Sequence, residues 1–228
     1  MNKWIEKALR EGRDLLEHES WWLLRQYDIP APRCGLARNE QELLDQAGQI
    51  GYPLVLKIVS PDILHKSDVG GVKTNIRNDS ELLAACHEML LRIIDACPTA
   101  RIHGVLVCEM LPAGLETIIG MNQDPSFGPT LLFGLGGIMV ELFQDVSIRV
   151  LPLDREDARQ MVGEIKGAAL LRGFRGEKPR DEAALADILI RLANLVEDNP
   201  EIQQIDLNPC FVYEKGAVPV DARILLAH

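Results

Sequence analysis

A single lysine inside an apolar run is the first residue in this sequence that could do chemistry. Lys57 lies in residues 53–59 (PLVLKIV), a run that predicts a buried strand. Lysine is rarely buried without a partner, and two interpretations remain open. The amine either reaches water from an edge strand or binds a phosphate from a rigid strand.

The segment 64–72 (LHKSDVGGV) places several reactive side chains next to a pair of glycines. A glycine pair lets the backbone approach a ligand closely or move. A solvated turn would also use Ser, Asp and Gly, so a purely structural loop stays possible. The other four histidines have no such neighbours. The residues that we single out in this loop are His65, Lys66, Ser67, Gly70 and Gly71.

Oxygen ligands cluster near the end of the sequence. Asp206 and Asn208 are two residues apart in a predicted strand, so they share one face of it. Asp221 follows a second short strand. A few hard oxygen ligands suit Mg²⁺ that is held jointly by protein and a substrate phosphate. Each acid alone would be a surface turn residue, but their combination with Lys57 favours a site.

The glycine-rich residues 133–141 (FGLGGIMVE) resemble a dinucleotide fingerprint only superficially. They lack the G-x-G-x-x-G spacing and a long helix after it. We expect a tight connection between strands.

Helical and strand patterns alternate along the chain. Apolar spacing predicts helix over residues 4–27, up to the prolines at 30 and 32, and a helix capped by Asn39. We expect Asp79 to cap another helix and residues 202–207 and 211–213 to form two strands. Residues 111–114 (LPAG) are the best candidate hinge. The pattern predicts an α+β (mixed α/β) protein of two lobes.

Composition excludes several classes of function. The chain has 228 residues, 47% of them hydrophobic, which is enough for a real core. A net charge of −10 and an aromatic content of 5% argue against nucleic-acid binding. Five cysteines without a CxxC suit a reducing compartment, and no apolar stretch is long enough to span a membrane. We expect a cytoplasmic protein with small-molecule substrates.

Taken together, these motifs resemble the ATP-grasp β subunit of ADP-forming acyl-CoA synthetases (acetate–CoA ligase, ADP-forming). The residues that carry the resemblance are GYPLVLKIVSPDILHKSDVGGV (51–72), VLVCEML (105–111), the segment 114–153 and IDLNPCFV with VPVDARILL (within 205–226). They span nearly the whole chain in the family's order. The sequence is similar, more distantly, to the succinyl-CoA synthetase β subunit.

The resemblance implies a two-lobed ATP-grasp fold. Residues 1–24 would be a helical segment packed on the C-terminal lobe, residues 25–110 the smaller lobe and residues 111–228 the larger lobe. The implied cofactors are ATP or ADP and Mg²⁺. Lys57 would contact the nucleotide phosphates. Glu109, Met110 and Leu111 would meet the adenine, partly through backbone groups, and Glu116 would be a candidate for the ribose hydroxyls. The other implied roles are a phosphoryl carrier in His65, charge balance or orientation by Asp206, and Mg²⁺ binding by Asn208 and Asp221.

The reaction that the resemblance implies is acyl-CoA + ADP + phosphate ⇌ carboxylate + CoA + ATP, with acetate as the default acid. A CoA-binding α subunit would capture the phosphoryl group first, and α2β2 is the expected assembly. Two alternatives remain open: a self-contained ATP-grasp carboxylate–amine ligase, and a nucleotide-sensing module of a protein acyltransferase. Neither the acid, nor the net direction, nor ATP against GTP follows from the sequence.

Overall fold

Two compact units make up the computed structural model, which describes residues 2–137 and 145–227. Unit 1 comprises Met1–Ala31 with Ala113–His228, and unit 2 comprises Pro32–Pro112. The units change at residues 31/32 and 112/113, a few residues beyond the lobe boundaries expected at 24/25 and 110/111. The second change falls within the expected hinge, residues 111–114. Part of the glycine-rich segment, residues 138–141, lies outside the described residues.

Helices and antiparallel strands alternate, which confirms the predicted α+β class. The helices are α1 (Lys3–Arg10), α2 (Glu17–Gln26), α3 (Glu40–Ile50), α4 (Asp79–Ala96), α5 (Arg155–Glu164), α6 (Ala168–Leu171) and α7 (Glu182–Asp198). The strands are β1 (Cys34–Ala37), β2 (Leu54–Val59), β3 (Val72–Ile76), β4 (Gly104–Glu109), β5 (Leu115–Asp124), β6 (Gly128–Leu135), β7 (Val146–Val150), β8 (Ile202–Val212), β9 (Ala217–Pro219) and β10 (Arg223–Leu226).

Unit 2 is a four-stranded antiparallel sheet in the order β1-β4-β2-β3. Leu54, Leu56 and Ile58 alternate along β2 and join one buried cluster with apolar residues of α3 and α4. The hydrophobic effect therefore fixes which face of β2 meets the helices. Lys57, out of phase with these residues, is assigned to the opposite face.

Asparagine side chains begin both helices of unit 2. Asn39 Oδ1 accepts the Glu42 N–H at 2.9 Å, as the sequence predicted. The expectation that Asp79 caps α4 is wrong. Asn78 is the cap, because its Oδ1 accepts the Glu81 N–H at 2.9 Å, and Asp79 is the first helical residue.

Unit 1 contains a second antiparallel sheet, with strands in the order β10-β8-β5-β6-β7 and β9 paired to β8. Helices α5 and α7 contact each other, and α7 buries a long apolar stripe that includes Leu185, Leu189 and Leu192. The two strands expected over 202–207 and 211–213 are one continuous strand, β8. Its burial alternates over Ile205–Asn208, with Ile205 and Leu207 inside.

The N-terminal pattern over residues 4–27 is two helices rather than one. Gly12 has φ +62° and lies in the turn that follows α1. Helix α2 begins only at Glu17. Between them the chain bonds to β10: the Leu15 N–H donates to Ile224 O at 3.3 Å, and Asp14 Oδ1 accepts the Leu226 N–H at 2.9 Å.

A buried ion pair holds this junction. Glu19 is fully buried and accepts two hydrogen bonds from the Arg13 guanidinium, at 2.6 and 2.9 Å. Its Oε2 also accepts the Leu16 N–H at 3.0 Å. Burial opposes the charged form of Glu19, but these hydrogen bonds outweigh it and lower the pKa of the carboxyl.

We predict that Glu19→Gln lowers the free energy of unfolding by about 3 kcal/mol, because it removes the buried one of the two carboxylates that pair with the Arg13 guanidinium. Glu11→Gln is the matched control, since Glu11 also bonds Arg13 but its side chain is 41% exposed. Its loss should cost less than about 1 kcal/mol. Urea unfolding of the three proteins at neutral pH measures both values, and equal losses would contradict the assignment.

The same pair predicts a pH dependence. A lowered pKa in the folded protein means that Glu19 stabilises the fold above the ordinary carboxyl pKa and loses that contribution as pH falls through the folded value. Wild-type stability should therefore fall more steeply in acid than that of Glu19→Gln. Urea midpoints measured down the acid range test this slope, and parallel curves would refute it.

Candidate functional site

Lys57 lies in the interior of the unit 2 sheet. It pairs with Leu106 of β4 on one side and Val72 of β3 on the other, so β2 is not an edge strand. The residue is only 6% exposed. The interpretation as an edge lysine is therefore wrong, and the amine is held by a strand that is fixed on both sides.

The loop that contains His65 connects the two strands that meet at Lys57. It leaves β2 after Val59 and returns at Val72, and the Ile58 N–H donates to Gly71 O at 2.8 Å. His65 itself is exposed. The topology thus attaches an exposed imidazole to the segment that begins and ends beside Lys57.

The first part of this loop is anchored by an ion pair. Arg101 donates to the Asp62 carboxylate from its backbone N–H and its guanidinium, at 2.7, 3.0 and 2.7 Å. These hydrogen bonds lower the pKa of Asp62 to about 2. Ile63 next to it is buried. The loop is therefore fixed immediately before the exposed residues begin.

Turns organise the rest of the loop. The Gly70 N–H donates to Ser67 O at 3.1 Å, and the Gly71 N–H donates to Lys66 O at 2.7 Å. Gly70 has φ +72°, a conformation that favours glycine. At Gly71 the reason is space, since a Cβ there would lie 2.6 Å from Ile58 Cγ2. The glycine pair thus serves the turn and its contact with β2.

The expected adenine segment, Glu109 to Leu111, begins with the last residue of β4. The Glu109 carboxylate bonds Arg33, accepting its backbone N–H at 2.7 Å and its Nε–H at 2.9 Å. The N–H groups of Glu109 and Met110 are also used, by Arg33 O and Pro53 O. The Leu111 N–H has no acceptor within the described residues, so the backbone is better placed than the Glu109 side chain to meet a base.

Acidic and amide side chains gather on unit 1. Asp206 of β8 lies opposite Arg223 of β10, and the Val220 N–H donates to Pro209 O at 2.8 Å. These pairings bring Asp221 to the part of β8 that carries Asp206 and Asn208. Alternation along β8 places Asp206 and Asn208 together on the face away from Ile205 and Leu207.

The charges of this cluster fit a divalent cation. Burial raises the pKa of Asp206, the nearby Asp221 carboxylate raises it further, and Arg223 opposes both. A cation would relieve this repulsion, and two carboxylates with an amide are hard oxygen donors of the kind that Mg²⁺ takes. Across residues 2–137 and 145–227, no three His, Cys, Asp or Glu side chains are grouped as a metal cluster.

Glu116 is exposed near the start of β5, and the beginning of the glycine-rich segment packs on it. The Gly136 N–H donates to Glu116 O at 2.8 Å. A Cβ on Gly136 would lie 3.0 Å from the Glu116 Cβ. Glycine is thus needed here for close approach of two chain segments.

The expected site residues therefore form two groups. Unit 2 carries the lysine, the histidine loop and the adenine segment, and unit 1 carries Glu116, Asp206, Asn208 and Asp221. Arg223, which the strand pairing places opposite Asp206, is not among the predicted residues, although it lies two residues after Asp221. The signal that could have found it was the charged residue within the otherwise apolar run 222–226 (ARILL).

No helix in the described part of the chain has the length and apolarity to cross a membrane.

Comparison with known proteins decides the family. The family model described as "ATP-grasp domain" matches residues 7–226. The acetate–CoA ligase [ADP-forming] I subunit beta of Pyrococcus furiosus is 50% identical over 222 residues, which cover 97% of this chain and 96% of that protein. This chain belongs to the ATP-grasp β subunits of ADP-forming acetate–CoA ligases.

Solved structures of this β-subunit family have the same fold. An acetyl-coenzyme A synthetase 1 from Ca. Korarchaeum cryptofilum, in complex with coenzyme A, Ca-AMPCP and HgCl+, matches with a TM-score of 0.95 at 48% identity and 97% coverage of both chains. A second structure of that protein holds coenzyme A and Mg-AMPPCP, with its phosphohistidine segment pointing towards the nucleotide binding site. It matches with a TM-score of 0.87 at 46% identity and 98% coverage of both chains.

We predict that Gly71→Ala lowers the free energy of unfolding by about 1–3 kcal/mol, the cost of overpacking beside Ile58 and Lys66 O. Gly48→Ala is the matched control, because Gly48 lies exposed in α3 with nothing within 4 Å of an added Cβ. It should stabilise the protein by about 0.5–1 kcal/mol. Denaturant unfolding measures both, and a neutral Gly71→Ala would show that the loop does not need this contact.

Proposed function

We propose that this chain is the nucleotide-binding β subunit of an ADP-forming acid–CoA ligase and transfers a phosphoryl group between His65 and ADP or ATP. The overall reaction is acyl-CoA + ADP + phosphate ⇌ carboxylate + CoA + ATP, with acetate as the default acid. A CoA-binding α subunit completes the enzyme, and α2β2 is the proposed assembly. The name of the Pyrococcus furiosus relative, a β subunit, supports a separate α chain.

The observation that carries this proposal is the placement of His65. Its imidazole is exposed on a loop that is anchored before it by the Asp62–Arg101 ion pair and after it by the hydrogen bond from β2 to Gly71 O. A phosphoryl carrier needs an accessible nitrogen and a fixed origin from which to reach its donor. A carboxylate–amine ligase needs no such histidine, so this placement favours the relay.

Charge neutralisation explains the remaining residues. Phosphoryl transfer depends mainly on positioning and on offsetting negative charge, because the protein does little covalent chemistry beyond the carrier. Lys57 would supply a fixed positive charge to the nucleotide phosphates. Asn208 and Asp221 would hold Mg²⁺, which when bound neutralises phosphate charge. Asp206 would balance the charge of the phosphorylated histidine.

The nucleotide base and sugar have weaker candidates. Because Arg33 holds the Glu109 carboxylate, we assign the base contact to the backbone, with the Leu111 N–H as donor. Met110 is 38% exposed and offers an apolar surface for a planar ring. Glu116 is the candidate for the ribose hydroxyls.

In the direction of ATP synthesis, the step on this chain breaks the P–N bond of phosphohistidine and forms a P–O bond to the terminal oxygen of ADP. His65 returns to the neutral imidazole, which can accept the next phosphoryl group from the α subunit. The Lys66–Gly71 part of the loop is proposed to let His65 move between donor and acceptor.

We predict that His65→Ala abolishes the overall reaction but changes nucleotide affinity by less than about 1 kcal/mol, since the imidazole carries the group rather than binding the nucleotide. Intact mass spectrometry after incubation with Mg·ATP, under alkaline conditions that preserve phosphohistidine, measures the carrier step directly. Wild type should gain one phosphoryl group, and ADP should remove it.

His87→Ala is the control, because His87 is exposed on α4 outside this loop and should accept phosphate like wild type. The measurement is repeated with a CoA-binding α partner and with several acids. If wild type is not phosphorylated either alone or with the α partner, His65 is not a carrier. The nucleotide-sensing module then becomes the better function.

We predict that Lys57→Ala weakens binding of Mg·nucleotide by roughly 2–3 kcal/mol, the scale of a hydrogen bond to a charged group. Lys57→Met keeps an apolar side chain of similar length, so it should lose a similar binding free energy without leaving the cavity that alanine would leave. Lys73→Ala removes a lysine from the neighbouring strand that pairs with Glu88 at 3.0 Å, and should bind normally. Isothermal titration with Mg·AMPPCP decides, and wild-type affinity in both Lys57 variants would contradict the role.

A further inference from the structure

Arg223 is the one residue of the Asp206 cluster to which no role has been given so far. It begins β10 directly opposite Asp206 of β8, and directly opposed residues of an antiparallel pair project from the same face. Its neighbour Ile224 is buried on the other face. The half-buried guanidinium therefore lies on the face of the sheet that carries Asp206 and Asn208.

The Arg223 side chain makes no hydrogen bond or ion pair within the described residues, and its Nε is buried without an acceptor. Most arginines of unit 1 differ in this respect. Ion pairs are formed by Arg13, Arg149, Arg155, Arg172 and Arg180. Arg10 and Arg159, for which the described residues supply no partner, are exposed. Buried polar groups are nearly always satisfied, so this half-buried guanidinium is an exception that needs a cause.

The surroundings of Arg223 favour an anion as the missing partner. The positive charge of Arg223 lowers the pKa of the facing Asp206 carboxyl, yet the two side chains form no ion pair. On the other side of Asp206 the facing residue is Gly120, which places no side chain over this face. The planar fork of a guanidinium matches phosphoryl oxygens, and a partly buried fork binds them more strongly than an exposed one.

We infer that Arg223 binds a phosphoryl oxygen at the cluster of Asp206, Asn208 and Asp221. This inference rests on the proposed function, which brings phosphoryl groups to these residues. The oxygen belongs either to the terminal phosphate of the nucleotide or to the phosphoryl group on His65. Both sources present the same chemistry, and the two arms of the experiment separate them.

The test uses the full chain with Arg223→Gln and Arg223→Lys. The matched control is Arg159→Gln, which removes the same charge from an exposed position on α5. One arm measures the affinity for Mg·AMPPCP, and the other measures the rate of phosphorylation by Mg·ATP and of discharge by ADP. Both are run at saturating Mg²⁺, so that altered metal binding is not mistaken for loss of the phosphoryl contact.

We expect Arg223→Gln to lose at least about tenfold in one arm, the scale of a charge-assisted hydrogen bond, while Arg159→Gln behaves like wild type. A loss of affinity assigns the contact to the nucleotide. A loss of rate with unchanged affinity assigns it to the phosphoryl group in transit. Arg223→Lys, which keeps the charge but not the fork, should show a smaller loss in the same arm.

Wild-type values in both arms for both Arg223 variants overturn the inference. Thermal unfolding is recorded for every variant, and if Arg223→Gln does not fold, Arg223→Lys alone decides. If wild type itself is not phosphorylated, the proposed relay has failed, and the nucleotide arm still tests Arg223: unchanged affinity in the variants then overturns the inference as well.

Discussion

Alternation of side chains along β2 and β8 is the constraint on which the candidate site depends. A strand in a sheet that is covered on one face must send every second side chain to the core. In β2 the core takes Leu54, Leu56 and Ile58, and in β8 it takes Ile205 and Leu207. Lys57, Asp206 and Asn208 are left on the other faces. A register slip of one residue in either strand would bury these charged and polar side chains among the aliphatic ones, which would strongly destabilise the fold.

Positively charged side chains occur in two different settings in this protein. An acidic protein with a net charge of −10 would repel polyphosphates at its surface. Under the proposed function this repulsion is offset locally by two cations on paired strands, Lys57 in the middle of one sheet and Arg223 opposite an acid in the other. Ordinary surface pairs, such as Arg101 with Asp62, are used instead to fix loops.

Local patterns predicted most elements, whereas long-range pairing did not follow from them. The apolar run around Lys57 and the Asn39 cap are local signals, and the structure confirms both. The break between α1 and α2 is set by Arg13 and Glu19, a pair that no periodicity reveals. No local pattern shows that the Glu109 carboxylate bonds Arg33, 76 residues earlier, because that contact depends on strand order. Arg223 was missed for the same reason, since only the pairing of β10 with β8 puts it beside Asp206.

The bonds from Asp14 and Leu15 to β10 have a consequence for synthesis on the ribosome. Unit 2 is one continuous stretch, and all four of its strands have emerged once residue 112 is clear of the exit tunnel. Unit 1 instead joins residues 14 and 15 to residues 224 and 226, so its sheet stays incomplete until residue 226 has been translated. Asp14 and Leu226 are 212 residues apart in the chain. The N-terminal segment that carries α1 and α2 therefore lacks its β10 partner while more than 200 further residues are synthesised.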